Sequence, residues 1–178
     1  MTPAELKAKL SGLMALPTET EWVEFKTAGQ GIHFDELGKY FSALSNEANI
    51  KGKQCGWLVL GVTNTPPRQI AGTRYRPADK DRESLKHEVA RQTSNGMTFL
   101  DIHEVVMPEG RVLMLQIPPA LPGIPTSWDW DKGDRRIYWV RCMNWHAMSI
   151  LCEGDRKHAG CHWRLASASS AGACVGHD

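Results

Sequence analysis

The residues best placed to do chemistry lie in Glu19-Thr-Glu-Trp-Val-Glu-Phe-Lys26. Glu19 and Glu24 stand five residues apart, across the entry into a short extended piece, Trp22 to Lys26. Carboxylate oxygens are what hard divalent cations prefer. A cation held between them could activate water and clamp a phosphodiester. The competing reading makes both glutamates solvated strand-edge charges, with Glu24 neutralised by a nearby base; such exposed pairs contribute little. Lys26 falls on the Glu24 side of the strand, because side chains alternate. An ammonium there suits contact with phosphate.

The second signal is electrostatic. The formal net charge is only +1, but charge is unevenly spread. From Ile50 to Pro77 the chain carries Lys51, Lys53, Arg68, Arg74 and Arg76 and no Asp or Glu. Arg135, Arg136 and Arg141 follow later. If these groups converge they form a phosphate-tracking surface; if they do not, they serve solubility.

Other chemistries find little support. There is no Gly-x-x-x-x-Gly-Lys-Ser/Thr loop, no Gly-x-Gly-x-x-Gly fingerprint and no Gly-x-Ser-x-Gly elbow. Cys55 sits in an apolar run, where a thiol is inert core. His33, His87 and His103 are scattered and read as surface or satisfied histidines. Trp22 and Trp57 read as core. Trp128 and Trp130, in a proline-rich connector, are the exposed candidates for stacking on a base or docking a partner. His158-Ala-Gly-Cys161 and Cys174-Val-Gly-His177 have zinc-like pairing, but their mixed order and Ser/Ala connector favour a disordered tail. No cofactor is expected.

These groups need a scaffold. The 178 residues suffice for one domain with a core, and 42% hydrophobic with 23% charged residues is ordinary for a globular chain. No apolar run approaches a membrane span and no signal sequence opens the chain, so the default expectation is cytoplasmic, with no membrane partner. Five cysteines, four of them in the last 37 residues, do not make a disulfide framework in a chain of this size. Thr2, Pro3 and Glu5 open a helix that carries Leu6, Leu10, Leu13 and Met14 and stops at Pro17. Asp35 opens a second, with Leu37, Tyr40, Phe41, Leu44 and Ala48 on one face. Cys55 to Val62 reads as a central strand buried on both faces. A third helix is expected over Asp81 to Thr93. Strands at Thr98 to Met107 and Arg111 to Ile117 form a hairpin through Pro108-Glu-Gly110, and Arg136 to Arg141 is a last strand. The fold class is α+β, a mixed β-sheet flanked by helices. One domain is expected over 1–148, with 149–178 a disordered or non-native tail.

The order of these features resembles the Schlafen AlbA-type domain, a family described as DNA-binding modules of transcriptional regulators. The resemblance is carried by Glu19-x-x-x-x-Glu24-Phe-Lys26, Ser42-Ala-Leu-Ser-Asn46, Gly56-Trp-Leu-Val-Leu-Gly-Val62, Gln69-Ile-Ala-Gly72 and Ile137-Tyr-Trp-Val-Arg141. It implies a nucleic-acid-associated, Schlafen AlbA-like module acting on DNA or RNA, with Lys26, Lys51, Lys53, Arg68, Arg74, Arg76 and Arg141 against phosphate. Similar animal proteins are RNA endonucleases with three acidic residues. Two of these correspond to Glu19 and Glu24; the third place falls at Thr63-Asn64, which has no carboxylate. The alternative is therefore a metal-dependent nuclease with Glu19 and Glu24 as catalytic ligands of Mg or Mn, and the missing acid weighs against it. A third reading is a protein-interaction or dimerisation module, which leaves a homo-oligomer open.

Overall fold

The computed structural model describes residues 1–17, 20–94 and 96–128, together with the backbone of strands at 136–142, 146–152 and 164–165. Helix α1, Pro3–Met14, starts where a capping box starts it. The Thr2 amide donates to Glu5 Oε2 at 2.6 Å and the Glu5 amide donates to Thr2 Oγ1 at 3.3 Å. Two of the helix's otherwise orphaned N–H groups are thereby satisfied. Leu6, Leu10 and Leu13 recur on one stripe and are buried.

Strand β1, Val23–Lys26, leads through α2, Phe34–Ile50, to β2, Gly56–Leu60, and pairs with it in parallel. Parallel neighbours require such a crossover. Strands β3, Asp101–Met107, and β4, Gly110–Ile117, form the expected hairpin, and β4 adds antiparallel to β2. The four-stranded sheet has the order β1-β2-β4-β3, which leaves β1 at one edge.

Alternation along the strands divides the core in two. Val23, Phe25, Trp57, Val59, Val112 and Met114 face α1 and its three leucines. Leu58, Leu60, Leu113, Leu115 and Ile117 face the other way, against Leu37, Phe41 and Leu44 of α2 and Leu85 and Val89 of α3, Asp79–Gln92. The sheet is therefore covered on both faces. This is the α+β architecture with a mixed sheet and flanking helices read from the sequence.

A second antiparallel sheet follows, in the order β5-β6-β7-β8, from β5, Ser127–Trp128, β6, Arg136–Cys142, β7, His146–Cys152, and β8, Arg164–Leu165. Its β6 packs against α2. Strand β7 includes residue 148. The rest of the tail, including His158, Cys161, Cys174 and His177, lies outside the described residues, as do Trp130 and Arg135.

Trp128 corrects an expectation. Its proline-rich neighbourhood suggests exposure, yet it is 1% exposed. Its ring lies on the Cα of Gly38, where an added Cβ would meet the indole at 2.0 Å, and stands edge-on to Phe34 at 5.2 Å. The motif Ser42-Ala-Leu-Ser-Asn46 holds it there. Ser42 Oγ and Asn46 Nδ2 donate to the Thr126 carbonyl at 2.7 and 3.0 Å, and the Thr126 amide donates to Asn46 Oδ1 at 2.8 Å. A strand-like pair of bonds is thus supplied by a helix side chain.

Candidate nucleic-acid interface

Because Val23 and Phe25 point toward α1, Glu24 and Lys26 point toward α2. Glu24 is buried, 4% exposed, not the solvated edge charge of the competing reading. The Lys26 ammonium sits 3.3 Å from Glu24 Oε1, which is the nearby base that reading asked for. It also lies 4.8 Å from the centre of the Tyr40 ring, where the Tyr40 hydroxyl acts on it. That hydroxyl lies 3.2 Å from Glu36 Oε1, to which it donates. Burial works to lower the Lys26 pKa, but the Tyr40 hydroxyl and the Glu24 charge outweigh it and hold the ammonium above its usual range. Burial raises Tyr40 as well. Lys26 is thus a stable, partly exposed cation at the end of the edge strand. Tyr40 escaped the sequence reading as a site residue. Its signal was the Glu36–Tyr40 spacing of four on α2, which puts the two side chains on one face.

The other cations separate into two groups. Lys51 is exposed and pairs with Glu21 at 3.3 Å; Lys53 is exposed and lies over the Trp22 ring at 5.4 Å. Both therefore sit beside the residues that enter β1. Trp22 itself is partly exposed, at the margin of the core it was expected to fill. Arg74 is exposed, and its amide donates to the Gly29 carbonyl at 3.1 Å, three residues beyond Lys26. Arg76 is committed elsewhere: its guanidinium grips Glu88 with two bonds of 3.0 and 2.5 Å. Arg68 is buried, 8% exposed, and its contacts are with the protein interior. Burial takes it out of reach of a phosphate. The side chain of Arg141 and the whole of Glu19 lie outside the described residues.

Of the two ligands that the nuclease reading asks for, the described residues hold only Glu24. Among them no three His, Cys, Asp or Glu side chains converge. Glu24 already faces an ammonium, and Thr63 Oγ1 accepts from the Gln69 amide at 2.8 Å. Asn64 Oδ1 is buried and has no hydrogen-bond partner among the described residues, an amide oxygen where the resemblance calls for a carboxylate. The remaining nucleophile candidate is unpromising: burial pushes the Cys55 thiol up, and the Gln116 amide lies 3.6 Å from its sulfur.

The model of the family Schlafen, AlbA_2 matches residues 19–142. The chain belongs to the Schlafen AlbA_2 family. The matched span of this Schlafen AlbA_2 domain opens at Glu19 and closes with β6, taking in the edge strand, the α2 clamp and the central strand. No curated protein matches the chain. Among solved structures, the N-terminal domain of an ATP-dependent DNA helicase RecG-related protein from Nitrosomonas europaea is similar at 15% identity and a TM-score of 0.47, over 99% of this chain and 96% of that one. The DIP2311 protein from Corynebacterium diphtheriae is similar at 18% identity and a TM-score of 0.45, over 76% of this chain and 25% of that one. The chain therefore spans about a quarter of the length of the Corynebacterium protein.

Proposed function

We propose that this Schlafen AlbA_2 domain is a nucleic-acid-binding module of the DNA-binding regulator type, which tracks phosphates along the β1 edge. One observation carries the reading: Lys51 and Lys53 stand beside the start of β1, Lys26 at its end and Arg74 beside the loop that follows. A four-residue strand is about 13 Å long, enough to span successive phosphates of one chain. Lys51 and Lys26 each keep a carboxylate partner in the free protein, which a phosphate would compete for. Lys53 and Arg74 have no ion pair among the described residues and supply the attraction at a distance.

Fluorescence anisotropy on duplex DNA, single-stranded DNA and transfer RNA, across a salt series, tests this. Binding whose log K falls with log salt with a slope of about −3 is expected for three to four phosphate contacts. Absence of binding at low salt overturns the reading and leaves the protein-interaction module. Manganese-dependent cleavage of the RNA, lost in Glu24→Ala, replaces it with the nuclease.

A further inference from the structure

We infer that Arg68 is the positioning residue of the β1 edge, one buried guanidinium that sets both ends of the cation row against Lys26. The inference rests on the nucleic-acid reading above and assigns Arg68 no contact with the ligand.

The guanidinium ties two other segments to its own loop. Its Nη1 donates to the Met14 carbonyl at 3.2 Å and to the Leu16 carbonyl. Helix α1 has no basic residue in its last turn, so Arg68 reaches across from a distant loop to satisfy the carbonyls left open there. Its plane lies over the Phe25 ring, 4.4 Å from the centroid. Phe25 is the residue between Glu24 and Lys26. The third segment is its own loop, closed by the Thr63 amide on the Gln69 carbonyl at 2.9 Å and by the Val62–Ile70 bridge. From that loop the chain runs on to Arg74. From Leu16 it runs on to Glu21 and Trp22, the residues that hold Lys51 and Lys53. A planar guanidinium can stack on a ring face while its edge N–H groups reach two carbonyls.

The energetics point the same way. Among the described residues, Arg68 Nε and Nη2 are buried with no hydrogen-bond partner. Such donors carry a desolvation cost, against which stand the Phe25 ring face and the two carbonyl bonds. An apolar side chain of similar length would keep the packing on Phe25 but leave the Met14 and Leu16 carbonyls without their donor. An arginine here joins the end of α1 to the middle of β1, which an apolar side chain does not.

The test uses Arg68→Met, which keeps the stem over Phe25, and Arg68→Lys, which keeps the charge. Hydrogen exchange of the intact chain reads the positioning without any ligand. Amides of residues 61–74 and 20–23 are expected to exchange about tenfold faster in Arg68→Met, with α3 unchanged. Equal exchange in wild type and variant overturns the inference, whether or not the protein binds nucleic acid. For binding, a double-mutant cycle is decisive. Arg74→Gln is expected to cost about threefold or more in affinity in the wild type and less than about twofold in Arg68→Met, with Arg68→Lys between. An additive cycle overturns it. Failure of the wild type to bind at all sinks the nucleic-acid reading instead, and the exchange data still decide whether Arg68 positions the edge.

Discussion

Lys26 and Tyr40 share a proton environment that ties stability to alkaline pH. The folded protein holds Lys26 above its ordinary 10.5, because the Tyr40 hydroxyl and the Glu24 charge outweigh the effect of burial. It holds Tyr40 above its ordinary 10.0, chiefly through burial. For both groups the folded state binds more protons than the unfolded chain between the ordinary and the raised value. Stability is then whole below about pH 10 and falls as pH rises through the raised values. A urea midpoint that is level from neutral pH to about pH 9 and then declines is the expected outcome. Lys26→Met and Tyr40→Phe should each flatten the decline. An unaltered decline in both variants would show that other groups cause it. Lys26 is a third exposed, so the size of the effect is discounted for solvent screening. The same pair is why Glu24 reads differently in three dimensions than in one: adjacent letters Glu-Phe-Lys state the charge balance, but not that the Glu24 carboxylate is enclosed.

Helix α2 is the element on which the second sheet depends. Its Gly38 leaves the slot that Trp128 fills, and an added methyl would overlap the indole. Gly38→Ala gains helix propensity of up to about 1 kcal/mol but overpacks a buried contact, and such overpacking costs about 1–3 kcal/mol. A net loss of stability with a changed near-ultraviolet tryptophan signal is expected; a stabilised variant would mean that the indole has room to move. Asn46→Ala should cost more, about 2–4 kcal/mol, because it orphans a buried amide and weakens the satisfaction of a buried carbonyl on Thr126. Chemical denaturation of the single variants checks the ranking. These cases show what was legible. Local rules suffice for α1, whose caps and leucines lie within a few residues, and for β2, whose unbroken apolar run can only be a buried strand. They do not suffice for Trp128 or Arg68. The partners of Trp128 are a missing side chain and a helix about 90 positions away, and those of Arg68 are backbone carbonyls, which no residue letter announces. The cation row along β1 was half legible for the same reason. An acid-free stretch says where charge accumulates, not which arginines turn inward.

At the scale of the whole molecule, the sheet is a partition. On one side α1 closes a core that contains Val59 of β2; on the other α2 and α3 close a core that contains Val89 of α3. Each valine is fully buried, and truncation to alanine removes two methyl groups and leaves a small cavity. Each of Val59→Ala and Val89→Ala should cost about 2 kcal/mol. The two share no cluster, so the double variant is expected to lose the sum to within about 0.5 kcal/mol. Cooperativity makes the measurement meaningful: if the layers unfold together, one urea transition reports both losses with an unchanged slope. Two separated transitions, or a double variant no weaker than the worse single, would mean that the α1 layer comes away before the rest. That outcome would bear directly on the β1 edge. Phe25 packs into the α1 core while Lys26 and Glu24 face α2, so the strand that carries the cation row is held from both sides only while both layers are in place.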